Sequence, residues 1–194
     1  MRYKEFNTNT VLEKAINLFW QKGFNPCPIS EIVKETGVNR FSLYQEFDNK
    51  EGILEKALQL YLNRYANKYL EKLEGIGNVT EKLKSFFFSY LDNTKMHPPG
   101  CFIIQVGTEL ADQNLEIKLF LTEYLNEIEK EFFQLMEKEG NKKEKSAFYA
   151  RHLTALFCNT MCFSVIHTRQ EQERIILNGM NLILKKQNSH VTQS

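Results

Sequence analysis

Apolar residues recur every three or four positions along nearly the whole chain, and this period restricts the possible folds more than any other feature. Leu12, Ala15, Ile16, Phe19 and Trp20 share one helical face, and no long stretch alternates apolar with polar residues as a half-buried strand does. Turn-forming residues are scarce, 9 Gly and 4 Pro in 194 residues, so the helix breaks can be located one by one. The expectation is an all-α fold of about nine helices, with 42% apolar residues sufficient for a packed core.

Thr10-Val11-Leu12-Glu13 has the form of a capping box and opens a helix from Thr10 to Lys22, with Gly23 closing it. Asn25-Pro26-Cys27-Pro28 is a turn; Pro28 suits the first position of a second helix that ends at Gly37. Asn39 caps a third, from Arg40 to Glu46, and Asp48-Asn49-Lys50-Glu51 starts a long one from Lys50 to about Glu74. Beyond Gly75-Ile76-Gly77-Asn78, helices are expected over Thr80 to Thr94, Cys101 to about Ala111, Leu115 to Glu139 and Lys143 to about His167. Pro98-Pro99-Gly100 separates the first two of these. Thr168-Arg169-Gln170-Glu171 is a second capping box, opening a last helix that ends near Lys186, before a polar tail.

Charge excludes a simple electrostatic argument for nucleic acid. The chain has 25 basic and 24 acidic residues, net +1, so DNA binding must rest on local geometry. No apolar run approaches the roughly 20 residues that cross a bilayer. The opening MRYKEFNTNT lacks the apolar core of a signal peptide, so a cytoplasmic protein without membrane partners is expected. Cys27, Cys101, Cys158 and Cys162 are expected to be reduced thiols. Cys158 and Cys162 share a helical face, but His167 lies roughly 140° around it, so the pair is expected in a core or interface and no metal or cofactor is implied. His97, His152, His167 and His190 are scattered, and neither a nucleophile motif nor a Gly-rich phosphate loop is present, which argues against an enzyme.

Residues 28–47 have the proportions of a helix-turn-helix. Ile32, Val38 and Leu43 hold two short helices across the Gly37 turn, and Arg40, Phe41, Ser42, Tyr44 and Gln45 project from the second. These types suit base edges: Arg pairs with guanine, Gln with adenine, Ser with either edge or phosphate, and an aromatic ring meets a thymine methyl. Lys50, at a helix N-terminus, is the candidate phosphate contact. The same spacing also fits a helical hairpin with an ordinary surface, and spacing alone leaves both open.

From Val11 to Tyr61 the sequence resembles the N-terminal domain of TetR-family regulators. The match is carried by Ala15, Phe19-Trp20, Gly23-Phe24, Ile32, Thr36-Gly37-Val38, Ser42-Leu43-Tyr44, Phe47, Lys50 and Leu54. The resemblance implies a three-helix DNA-binding head at residues 1–50 and a helical ligand-binding and dimerisation domain at 51–194. It further implies a sequence-specific regulator, a repressor released from a double-stranded DNA operator by a small molecule. Two positions depart from the pattern: Pro28 stands where a Ser or Thr commonly caps the second helix, and Phe41 replaces a usually small residue. Its ring either meets thymine or packs inward. The competing function is a helical protein-interaction module without specific DNA binding.

His97-Pro98-Pro99-Gly100-Cys101-Phe102 resembles a segment of one TetR subfamily, at the start of its sixth helix, where a Cys in some members responds to electrophiles or oxidants. A thiolate there would be stabilised by the helix dipole; the other reading is a small packed residue. Phe86, Tyr90, Phe102, Phe120 and Tyr124 are core aromatics by default. By resemblance they line a pocket, with Tyr90, Gln105 and His97 as its polar groups and an apolar or electrophilic effector. Leu153, Leu156, Phe157 and Met161, with Ile175, Ile176, Met180 and Ile183, give the last two helices wide apolar faces, and Gly179 permits close approach. By resemblance they form half of a four-helix homodimer interface.

Overall fold

The computed structural model describes residues 6–92 and 98–185. Among them all regular structure is helical. The helices are α1 (Thr8–Lys22), α2 (Ile29–Thr36), α3 (Arg40–Phe47), a long rod α4 beginning at Lys50, α5 (Val79–Asp92), α6 (Phe102–Leu110), α7 (Leu115–Lys138), α8 (Lys143–Cys162) and α9 (Arg169–Lys185). None of the described helices is long and apolar enough to cross a membrane. The all-helical expectation holds, with boundaries shifted by a few residues.

The shifts have physical causes. α1 starts at Thr8 because the Asn7 side chain accepts the Thr10 amide at 3.1 Å. Glu13, expected to close a capping box, instead accepts from Arg64 Nη1 at 2.6 Å and from the Tyr65 hydroxyl at 3.0 Å. A tertiary pairing with α4 thus replaces a local cap. Pro28 stands at the N-cap of α2, one position before its expected place, and contributes no side-chain cap bond. Asn39 caps α3 as expected, accepting from the Ser42 amide at 2.9 Å. At α9 the box forms: the Thr168 amide donates to Glu171 at 2.8 Å and the Glu171 amide to the Thr168 hydroxyl at 3.3 Å.

α2 and α3 turn through Gly37, whose φ of 73° is left-handed and favours glycine. The junction of α3 and α4 is tighter still. Asp48 has φ 67°, and a Cβ on Gly52 would lie 1.9 Å from the Phe47 carbonyl oxygen. α4 runs as α-helix over Lys50–Tyr61, passes through a π-helical turn at Leu62–Ala66, resumes over Asn67–Leu70 and tightens to a 3₁₀ turn at Glu71–Glu74.

One hydrophobic core runs from Val11 in α1 to Met180 in α9. No seam in packing falls at residue 50, because α1 rests along α4 as far as Tyr65. α7 and α8 form an antiparallel pair, and α9 packs on α8. A Cβ on Gly179 would lie 2.6 Å from Leu156 Cδ1 of the same chain. The close approach expected at a dimer interface is therefore made within the protomer.

Gly52→Ala should cost about 3 kcal/mol or more, since the added carbon overlaps backbone that cannot rotate away. Urea unfolding measures this, and a loss below about 1 kcal/mol would show that the α3–α4 turn can open to accept it.

Candidate nucleic-acid interface and the core behind it

Leu43 and Phe47 are buried and seat α3 on the head, which turns its other face outward. Arg40, Phe41 and Gln45 are exposed on that face, with Ser42 and Tyr44 half-buried beside them. Phe41 is 71% exposed. Of the two orientations open to its ring, the structure has the outward one. The Arg40 guanidinium lies 5.0 Å from the Tyr44 ring centroid, with Nη2 3.4 Å from the phenol oxygen. Tyr44 thus orients Arg40 one helical turn away, restricting a long side chain.

Lys50 is placed differently from the free phosphate ligand expected. Its ammonium donates to the Phe24 carbonyl at 2.6 Å and sits 4.1 Å from that ring's centroid. Two of its three donors remain for an anion.

Phe24 is also held from the other side. Its amide and that of Asn25 both donate to the Glu109 carboxylate at 2.8 Å, and Gln105 Nε2 donates to the Trp20 carbonyl at 2.7 Å. α6 therefore grips the end of α1 with two side chains one turn apart. Gln105, expected to be a polar group of a ligand pocket, is committed to this joint. Phe102, also expected in the pocket, is wedged between Trp20 and Tyr61, its centroid 5.8 Å and 5.6 Å from theirs. Glu109 was missed by sequence reasoning because it belongs to no motif. One signal was available: a carboxylate in the last turn of a helix sits against the negative end of the dipole and needs donors elsewhere.

The remaining expected pocket residues divide. Phe86 packs against Phe132 at 5.2 Å and Phe157 at 5.4 Å and is fully buried. The Tyr90 and Tyr124 hydroxyls are 2.8 Å apart, and Cys101 Sγ lies 3.5 Å from the Tyr124 oxygen. Burial pushes both phenols well above their usual pKa, so this cluster is neutral. Phe86, Tyr90, Cys101 and Phe102 thus form closed core. Phe120 and Tyr124 border an open cleft of ≈ 270 Å³ between α4 and α7. His97 lies outside the described residues.

Cys101 stands at the N-cap of α6, close to its expected place, and of the two readings open to it the structure has the packed one. It is 1% exposed, and burial raises its thiol above the usual value despite opposing hydrogen bonds from Tyr124, Ile104, Tyr61 and Ile103. Desolvation of the thiolate outweighs the helix N-terminus. Cys158 is likewise pushed up to about 11 by burial, and no cluster of metal-ligating side chains occurs among the described residues.

Residues 11–57 match the family described as bacterial regulatory proteins of the tetR family. The chain is 34% identical over 119 residues to the transcriptional repressor ComR of Escherichia coli, covering 60% of this chain and 57% of ComR. The matched part thus spans little more than half of that repressor. It is 24% identical over 153 residues to the biofilm-operon negative regulator IcaR of Staphylococcus epidermidis, covering 79% of this chain and 80% of IcaR. Among solved structures, a cysteine-substituted mutant of the regulator CifR bound to a 26-bp operator superposes with a TM-score of 0.83 at 16% identity, over 93% of this chain and 98% of CifR. A TetR-family regulator of Streptomyces coelicolor superposes with a TM-score of 0.80 at 17% identity, over 92% and 95%. At these identities the structural likeness shows the fold.

Glu109→Ala strips one part-buried amide, of Phe24, and one exposed amide, of Asn25, of their charged acceptor and should lower stability by about 1–3 kcal/mol, read by urea unfolding. Alkylation of Cys101 should be at least about tenfold slower in the folded protein than in urea, because the thiolate is disfavoured and covered. Mass spectrometry of the modified peptide reports the rate, and equal rates would restore Cys101 as an accessible thiol.

Proposed function

We propose, from the match of residues 11–57 to the tetR family of bacterial regulatory proteins, that the chain is a ligand-responsive, sequence-specific DNA-binding regulator, a repressor released from its operator by a small molecule. The observation that carries this is the outward face of α3, where Arg40, Phe41 and Gln45 are exposed while Leu43 and Phe47 anchor the helix from behind. A 71% exposed phenylalanine on an eight-residue helix gains nothing for the fold. In a major groove it meets thymine methyls, with Arg40 and Gln45 beside it for purine edges. The repressor name of ComR and the operator bound to CifR agree with this reading.

One head offers a small contact surface, so high affinity calls for two copies on one DNA face. The proposed homodimer face is the outer side of α8 and α9 and the turn between them, where Phe163, Val165, Ile166 and Leu182 are exposed. An apolar surface of this kind is what a second copy would cover. The four exposed side chains replace Gly179 as the residues on which dimerisation rests.

Selection of bound DNA from a random library should return a two-fold symmetric site, and failure to enrich any sequence would favour an interaction module instead. Arg40→Ala and Gln45→Ala should each cost about 1–3 kcal/mol on that site while altering which bases are preferred. Lys50→Ala should weaken binding to all sequences alike and flatten the salt dependence. Leu182→Glu should turn a dimer into a 22.8 kDa monomer in sedimentation and weaken operator binding with it. A wild-type monomer that still binds the operator tightly would exclude this interface.

A further inference from the structure

One peptide group links a carboxylate of α6 to the candidate phosphate contact on α4. Glu109 accepts the Phe24 amide on Oε2 and the Asn25 amide on Oε1, both at 2.8 Å. The Asn25 N–H and the Phe24 carbonyl belong to the same planar peptide unit, and that carbonyl accepts the Lys50 ammonium at 2.6 Å. An anion therefore pulls on one end of the unit and a cation on the other, and hydrogen bonds in such a chain polarise and strengthen one another. The Phe24 ring, its centroid 5.2 Å from that of Phe19, lies 4.1 Å from the same ammonium. Gly23 leaves room for the carboxylate, since a Cβ there would stand 3.1 Å from Glu109 Oε2. Gln105, one turn earlier on α6, grips a different carbonyl, that of Trp20 at 2.7 Å, so the two arms of the grip can be cut separately.

We infer that Glu109 is a positioning residue for DNA binding, acting on a phosphate through Lys50 without touching DNA itself. The inference rests on the DNA-binding function and the phosphate role of Lys50 proposed above. A lysine side chain is flexible, and ordering it on contact costs entropy; an ammonium already seated on a carbonyl and a ring meets a phosphate with much of that ordering done. Glu109 acts on DNA in two opposed ways. As a negative charge it repels phosphate, so its removal by itself would tighten binding. As the anchor of the Phe24–Asn25 peptide it fixes the carbonyl that seats Lys50, so its removal would release the ammonium to many rotamers. The repulsion is screened by salt, whereas the anchor acts through short hydrogen bonds, and the anchoring effect prevails.

The test measures the affinity of the full chain for a short mixed-sequence DNA duplex by fluorescence anisotropy at several salt concentrations, in a cycle of Glu109→Gln and Lys50→Ala. Circular dichroism of each variant at the assay temperature confirms that folded proteins are compared. Glu109→Gln should weaken binding about threefold or more and flatten the salt dependence as Lys50→Ala does, yet change affinity less than about 1.5-fold once Lys50 is alanine. Glu109→Asp, which shortens the anchor at constant net charge, should show the same dependence on Lys50. Gln105→Ala cuts the other arm, and any loss it causes should be the same factor in both backgrounds. Tighter binding by Glu109→Gln would overturn the inference, because charge alone would then be acting. A loss of equal size with and without Lys50 would also overturn it, leaving Glu109 a docking residue only. A wild-type chain that fails to bind the duplex at low salt refutes the DNA-binding function itself. Binding that Lys50→Ala leaves unchanged removes the phosphate contact, and binding that needs Lys50 but not Glu109 removes the positioning role alone.

Discussion

The end of α1 presents polar backbone that the helix cannot satisfy, and the arrangement of the two halves follows from where those groups find partners. Trp20 O, the amides of Phe24 and Asn25 and the Phe24 carbonyl are met by Gln105, Glu109 and Lys50. Two of these side chains lie on α6 and one at the start of α4. Leaving such groups unpaired away from water costs about 1–3 kcal/mol each, comparable to a large share of a domain's stability. The head is therefore docked by hydrogen bonds as well as by the Trp20, Tyr61 and Phe102 rings. Any displacement of α6 carries the end of α1 with it.

The same joint explains why several side chains expected in a pocket are in the core. Phe102 and Gln105 are consumed in holding the head, and Tyr90, Tyr124 and Cys101 close a neutral polar cluster immediately behind. Such a cluster is stable because its members satisfy one another and stay uncharged; placing a thiolate in it would require desolvating the charge. Two opposing effects act on Cys101, the helix start that favours the thiolate and the burial that disfavours it. Burial prevails because α6 begins inside the molecule rather than at its surface.

The helical segments, the helix-turn-helix and the likeness of residues 11–57 to the tetR family were legible in the sequence because each depends on nearby residues. The period of apolar side chains marks the helices, Asn39 caps α3 from three residues away, and Gly37 supplies the left-handed turn. The outward residues of α3 follow once Leu43 and Phe47 are recognised as its inner face, since a helix with a buried side has only one other side to offer.

What the sequence by itself determined is therefore local: where helices start and stop, which face each buries, and which short helix presents polar and aromatic groups outward. Tertiary structure alone decided that Glu13 pairs with α4 instead of capping α1, that Gly179 is pressed against Leu156, that Phe41 points outward, and that Glu109 and Gln105 clamp the head. It also decided which aromatics are core and which border a cleft. The reason is the range of the interactions: caps and turns act within four residues, whereas burial and long-range pairing depend on segments up to 85 residues apart, whose meeting no local pattern records.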